Sequence, residues 1–147
     1  MDSLKVLIVD DSPIISRKLT MMVELLGYKV VKTAATGTEA IAAYRASRPD
    51  VVTMDITMPD MDGIEATRRI VSEFPDAKIV MVTSHGQERM VLEALKAGAK
   101  GYVLKPFDGK KVSEAIQKAC QRVVLKDKLA PAQGEVVQPA GAAADPI

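Results

Sequence analysis

Short apolar segments alternate with longer amphipathic segments along most of the chain. The apolar segments are rich in Val and Ile and are apolar at consecutive positions. This pattern is typical of parallel strands that are covered on both faces of a sheet. The segments span residues 4–9, 28–34, 51–54, 78–83 and 101–104.

The amphipathic segments predict helices. In the first of them, Ile15, Leu19 and Met22 recur at the spacing of one helix face. Ser12 is placed to cap this helix, and Pro13 suits its first turn. Further helices are predicted over residues 38–47, 64–74 and 87–97, and from 112 to about 128. Strands and helices in this alternation predict a doubly wound α/β fold with right-handed crossovers.

The C-terminal segment differs in composition from the rest. Residues 129–147 are rich in Ala, Pro and Gly and have no hydrophobic periodicity. Such a segment buries too little apolar surface to fold alone. We therefore expect one globular domain over residues 1–128, followed by a flexible tail or linker stub over 129–147.

Charge and cysteine content exclude several classes of protein. The chain has 147 residues, with 20 Lys and Arg against 19 Asp and Glu, so its net charge does not attract it to nucleic acid or an anionic membrane. The single cysteine, Cys120, cannot form an internal disulfide. No apolar run reaches the length of a membrane span or of an export-signal core. We expect a cytoplasmic protein with no direct nucleic-acid binding and no membrane insertion.

Polar side chains stand at the carboxyl ends of four predicted strands. Asp10 and Asp11 follow the first strand, Asp55 ends the third, Thr83 ends the fourth, and Lys105 follows the fifth. The carboxyl ends of parallel strands meet at one edge of the sheet, which is where such folds bind ligands. We therefore expect three carboxylates, a hydroxyl and an amine to converge there.

These residue types favour phosphoryl transfer to an aspartate. Clustered carboxylates repel one another unless a cation is present, and hard oxygen ligands suit Mg²⁺. A carboxylate can act as the nucleophile and form an aspartyl phosphate, while a lysine and a threonine contact the phosphoryl oxygens. Taken singly, each residue also fits an ordinary role, such as a carboxylate near a helix N-terminus or a solvated lysine. Only their common placement favours a site.

Five short motifs carry a family resemblance. They are Val-Asp-Asp-Ser at 9–12, Met-Asp-Ile-Thr-Met-Pro-Asp-Met-Asp-Gly at 54–63, Val-Thr-Ser at 82–84, Ala-Gly-Ala-Lys-Gly-Tyr at 97–102 and Lys-Pro-Phe at 105–107. In this order and spacing, the chain resembles the receiver domain of two-component response regulators, including the stand-alone chemotaxis type, over roughly residues 4–125. The resemblance implies a flavodoxin-like five-stranded parallel sheet with strand order 2-1-3-4-5.

The resemblance also implies a role for each site residue. Asp55 would be the phosphoacceptor. Asp10, Asp11 and the main-chain carbonyl of Thr57 would join it as Mg²⁺ ligands. Lys105 would contact the phosphoryl group.

A conformational switch is a further implication of the resemblance. Thr83 would move toward the phosphoryl group, and Tyr102 would swing inward behind it. The surface formed by helix 4, strand 5 and helix 5 would then bind a downstream protein. The peptide between Lys105 and Pro106 would be cis, and Gly63 is expected to relieve backbone strain in the loop after the third strand.

The expected function is that of a switch protein and not of an enzyme with an external substrate. The phosphoryl group would come from the phosphohistidine of a histidine kinase or a histidine phosphotransfer protein. A phosphorelay carrier and a pseudo-receiver that binds partners without phosphorylation remain as alternatives. A haloacid-dehalogenase-like phosphatase is a remote alternative, because those enzymes need a second Asp two residues after the nucleophile, where this chain has Thr57.

Overall fold

Strands and helices alternate along residues 3–120, the part of the chain that the computed structural model describes. The strands are β1 (Lys5–Val9), β2 (Lys29–Ala34), β3 (Val51–Asp55), β4 (Ile79–Thr83) and β5 (Gly101–Leu104). The helices are α1 (Pro13–Leu25), α2 (Gly37–Ser47), α3 (Gly63–Glu73), α4 (Glu88–Ala97) and α5, which covers residues 109–120. The strands pair in parallel in the order β2-β1-β3-β4-β5. The predicted flavodoxin-like fold is confirmed, while the predicted tail at 129–147 lies outside the described residues.

The start of α1 follows from two local signals. The Ser12 hydroxyl accepts a hydrogen bond from the backbone N–H of Ile15 at 3.3 Å, and Pro13 occupies the first helical turn. A side-chain acceptor at this position satisfies a backbone donor that the helix leaves free. At the other end, Gly27 adopts a φ of 96° just after the last helical turn, a conformation that glycine tolerates without a steric penalty.

Two hydrophobic clusters cover the two faces of the sheet. On β1, Leu7 and Val9 pack with residues of α2, α3 and α4, whereas Val6 and Ile8 pack with residues of α1 and α5. This alternation follows from the opposite directions of successive side chains along a strand. The helices on each side therefore cover the central strands with mainly apolar side chains.

The expectation of strands covered on both faces is wrong for the edge strand β5, where only Val103 is buried, and for the other edge strand, β2. Of its six residues only Ala34 is buried, whereas β3 and β4 are buried throughout. β2 forms one edge of the sheet, so it has a neighbouring strand on one side only. Among the helices of residues 3–120, none is long and apolar enough to cross a membrane.

Candidate functional site at the carboxyl edge of the sheet

Three carboxylates meet beyond the ends of β1 and β3. Asp10, Asp11 and Asp55 each place one carboxylate oxygen within 4.8 Å of the others. Asp10 and Asp55 are only 3% and 7% exposed, while Asp11 is exposed. The backbone N–H of Asp10 donates to the carbonyl of Ala34 at 3.0 Å, which extends the sheet pairing to the rim of the site.

Lys105 lies between the two buried carboxylates. Its Nζ is 3.4 Å from Oδ1 of Asp55 and 3.5 Å from Oδ2 of Asp10. The backbone N–H of Lys105 donates to the carbonyl of Thr83 at 2.6 Å, so the end of β5 is joined to the end of β4. The peptide between Lys105 and Pro106 is cis, as the resemblance implied. The structure thus brings one amine and three carboxylates into a single pocket.

The environment of Asp55 disfavours its charged form. Burial is the largest effect, and together with the nearby carboxylate of Asp10 it raises the pKa of Asp55 to about 6. The ammonium group of Lys105 acts in the opposite direction. Oδ1 of Asp55 also accepts a hydrogen bond from the backbone N–H of Ile56 at 3.0 Å. One lysine therefore offsets only part of the negative charge that the pocket gathers.

The donor set fits a hard divalent cation. Oδ1 of Asp10 accepts a hydrogen bond from the backbone N–H of Ser12 at 2.9 Å. Oδ2 of Asp10 is fully buried and makes no hydrogen bond within residues 3–120. The cationic group beside it is the Lys105 ammonium at 3.5 Å, and that one lysine is shared with the buried carboxylate of Asp55. Oxygen ligands from three carboxylates are the kind that Mg²⁺ prefers.

Thr83 and Tyr102 lie outside this charged cluster. Thr83 is buried at the end of β4, and its hydroxyl donates to Oε1 of Gln87 at 2.5 Å. A weaker contact joins the same hydroxyl to the carbonyl of Ser84 at 3.4 Å. Tyr102 lies on β5 and is 49% exposed. In this structure the Thr83 hydroxyl is therefore bonded to Gln87 in the loop after β4, and the Tyr102 ring lies at the surface.

Gln87 is a polar residue of the site that sequence reasoning missed. It is the N-cap residue of α4, yet its side chain makes no capping bond. Instead, its Nε2 donates to the hydroxyl of Thr57 at 3.2 Å, and its Oε1 accepts from Thr83. The only signal in the sequence was its position four residues after Thr83 at the start of a predicted helix. That position predicts where the helix begins but not where the side chain lies.

The reason expected for Gly63 needs correction. The left-handed φ in the loop between β3 and α3 belongs to Asp60, at 74°, and not to Gly63. A Cβ at Gly63 would lie 1.9 Å from the carbonyl oxygen of Asp55. The N–H of Gly63 also donates to the carbonyl of Ile56 at 2.7 Å. Gly63 is therefore needed because the loop passes close to the end of β3.

Known proteins are similar to this chain in both sequence and fold. Residues 6–117 match the family model of the response regulator receiver domain. The chemotaxis protein CheY of Thermotoga maritima is 46% identical over 114 residues, which cover 78% of this chain and 95% of that protein. CheY of Listeria monocytogenes is 43% identical over 118 residues, covering 80% and 99%. Among solved structures, the CheX-CheY-BeF3-Mg²⁺ complex of Borrelia burgdorferi matches with a TM-score of 0.74 and 38% identity, covering 78% of this chain and 87% of that one.

Proposed function

The chain belongs to the response regulator receiver domain family, and we propose that it works as a phosphorylation switch in which Asp55 accepts the phosphoryl group. The observation that carries this proposal is the position of the Lys105 ammonium group. It lies within 3.5 Å of both Asp10 and Asp55, in a pocket that also contains the carboxylate of Asp11. This arrangement offers a buried nucleophile together with positive charge for the incoming phosphoryl oxygens.

Asp10, Asp11, Asp55 and the main-chain carbonyl of Thr57 are the groups that we propose to hold Mg²⁺. When bound, the ion supplies positive charge that offsets both the clustered carboxylates and the phosphoryl oxygens. The proposal is supported by the three carboxylates that meet there, and by Oδ2 of Asp10, which is buried, makes no hydrogen bond in the described chain and shares the Lys105 ammonium with Asp55. Three carboxylates with one lysine leave a net negative charge that a divalent cation would offset.

The phosphoryl step transfers one group between two side chains. A carboxylate oxygen of Asp55 attacks the phosphorus of a phosphohistidine, so that an O–P bond forms while the N–P bond breaks. The donor histidine leaves with the electron pair of that bond and takes up a proton from water. Lys105 stays within reach of the transferred oxygens as a fixed positive charge. The proposed donors are a histidine kinase or a histidine phosphotransfer protein.

The switch that follows phosphorylation involves Thr83 and Tyr102. We propose that the Thr83 hydroxyl moves to donate to a phosphoryl oxygen, and that the Tyr102 ring moves inward behind it. The exposed ring of Tyr102 and the hydroxyl of Thr83 lie on neighbouring strands, β5 and β4. A charge added at the edge of the sheet is thereby linked to a change on the protein surface.

The surface proposed to bind a downstream protein consists of α4, β5 and α5. Large apolar side chains are exposed on two of these elements: Met90, Leu92 and Leu95 on α4, with Leu92 60% exposed, and Tyr102 on β5. The related CheY of Borrelia burgdorferi forms a complex with CheX, and we propose that this chain likewise binds a protein when phosphorylated.

The test is the intact mass of the protein after incubation with acetyl phosphate and Mg²⁺. We expect a gain of one phosphoryl group that is labile to base and absent when EDTA replaces Mg²⁺. The Asp55→Asn variant should show no gain. The matched control is Asp76→Asn, which makes the same chemical change at an exposed aspartate and should be phosphorylated like the wild type.

Three results would contradict the proposal. Phosphorylation of the Asp55→Asn variant would place the acceptor elsewhere. A folded wild type that gains no mass from acetyl phosphate or from a cognate phosphohistidine donor would favour a pseudo-receiver. Repeated hydrolysis of an added phosphate ester would favour a phosphatase.

A further inference from the structure

Gln87 links the two loops that border the phosphoacceptor. Its Oε1 accepts hydrogen bonds from the Thr83 hydroxyl at 2.5 Å and from the backbone N–H of Ser84 at 2.7 Å. Its Nε2 donates to the hydroxyl of Thr57 at 3.2 Å. The half-buried carboxamide thus joins the loop after β4 to the loop after β3.

The orientation of this carboxamide follows from its partners. The backbone N–H of Ser84 can only donate, so the atom of Gln87 that faces it must be the oxygen. The amide nitrogen then faces Thr57, whose hydroxyl can accept a hydrogen bond. Because the same oxygen also faces Thr83, the Thr83 hydroxyl must donate to it.

This orientation determines what the Thr83 hydroxyl can do. A hydroxyl has a single proton and therefore donates one hydrogen bond at a time. While that proton is directed to Gln87, it cannot be donated to a phosphoryl oxygen on Asp55. The proposed switch therefore requires the bond between Thr83 and Gln87 to break.

We propose that Gln87 is a positioning residue that holds Thr83 in the unphosphorylated arrangement and so sets how readily the switch responds. The proposal rests on the proposed phosphorylation of Asp55. It adds a restraint on Thr83 that the Gln87 side chain supplies. Gln87 opposes activation by stabilising the starting state, and Thr57 strengthens the restraint by orienting the carboxamide. The Gln87 side chain makes no capping bond to α4 and reaches the helix through a weak hydrogen bond from Nε2 to Sδ of Met90 at 3.9 Å.

The main variant is Gln87→Met, which keeps an unbranched side chain of similar length and removes the hydrogen-bonding groups. The probe is beryllofluoride with Mg²⁺, followed by NMR titration of backbone amides. We expect the variant to bind beryllofluoride about two- to tenfold more tightly, the factor that corresponds to the net strength of one hydrogen bond. Thr57→Val should give a smaller gain, because it leaves the bonds to Gln87 Oε1 in place.

The matched control is Gln117→Met, at an exposed glutamine of α5. Its affinity for beryllofluoride should equal that of the wild type. Gln87→Ala serves as a second variant if the methionine variant proves unfolded by circular dichroism. Equal or weaker beryllofluoride binding by folded Gln87 variants would overturn the proposal.

A second measurement separates this proposal from the proposed function. Three-bond NMR couplings report the side-chain rotamer of Thr83 without any phosphodonor or metal. We expect one rotamer in the wild type and an average of rotamers in Gln87→Met. If the wild type fails to bind beryllofluoride but the rotamer changes as expected, the proposed function fails and the restraint stands. An unchanged rotamer in Gln87→Met would overturn the restraint whatever the chain does with beryllofluoride.

Discussion

Replacing the carboxylate of Asp55 by the neutral amide of asparagine is expected to stabilise the metal-free protein at neutral pH. Asp55 is buried, and its pKa rises from an ordinary value of 3.8 to about 6 through burial and the neighbouring charge of Asp10. Ionised Asp55 is therefore less stable in the folded chain than in the unfolded chain. Asparagine fills nearly the same space without the charge.

The raised pKa gives the size of this effect. Each pKa unit corresponds to about 1.4 kcal/mol, so the shift of Asp55 sets an upper bound of roughly 3 kcal/mol on the penalty at neutral pH. Solvent that reaches the open side of the pocket reduces this figure. The shift already includes the attraction between Lys105 and Asp55, which lowers the pKa. We expect Asp55→Asn to raise the free energy of unfolding by about 1–2 kcal/mol at pH 7.5.

The pH dependence has a defined sign. Between about pH 4 and pH 6, folded Asp55 binds a proton more readily than unfolded Asp55, so this group makes the fold more stable as the pH falls through that window. Above pH 6 its unfavourable contribution is complete. Asparagine does not titrate, so the advantage of Asp55→Asn should be largest at pH 7.5 and should shrink toward zero near pH 4.

Urea unfolding followed by circular dichroism in EDTA measures this difference at both pH values. Asp76→Asn is the control, because it makes the same change at an exposed site. Adding Mg²⁺ should stabilise the wild type more than Asp55→Asn, since a bound ion stabilises the folded state that holds it. The reasoning is refuted if Asp55→Asn is no more stable than the wild type at pH 7.5 in EDTA, or if the difference does not change with pH.

Two further predictions use the same unfolding assay. Thr53 on β3 is 2% exposed, and its hydroxyl makes no hydrogen bond in the described chain. Thr53→Val should therefore raise the free energy of unfolding by about 1–2 kcal/mol. A lower free energy of unfolding would show that the hydroxyl has a partner such as a buried water. Gly63→Ala should lower the free energy of unfolding by about 3 kcal/mol or more, because the new Cβ would collide with the backbone of Asp55. The control is Gly101→Ala, because a Cβ at Gly101 meets no atom within 4 Å. It should change the free energy of unfolding by less than about 1 kcal/mol. Equal effects of the two glycine substitutions would contradict the steric argument.

Local patterning was sufficient to predict most of the fold. The apolar run at 101–104 coincides with β5, and the run at 51–54 is one residue shorter than β3. The cap at Ser12 and the proline after it placed the start of α1 correctly. These signals work because a strand covered on both faces is apolar at consecutive positions, whereas a helix covered on one side is apolar with a period of about 3.6 residues.

Exposure of the edge strand could not be predicted in this way. The segment over β2 contains enough Val and Ala to resemble a buried strand, yet most of it is open to solvent. Which strand lies at the edge depends on the pairing order. Apolar content alone does not report the number of neighbours that a strand acquires.

The sequence by itself determined the fold class, the residue types of the site and the edge of the sheet at which they stand. Parallel strands end at a common edge, so a polar residue after each strand is enough to predict convergence. Only the tertiary structure decided which of those residues make contact. Lys105 meets Asp55 across 50 positions of the chain, and Gln87 meets Thr57 across 30. Such contacts depend on the paths of loops, which carry no repeating pattern, and on the close packing that only the folded chain provides.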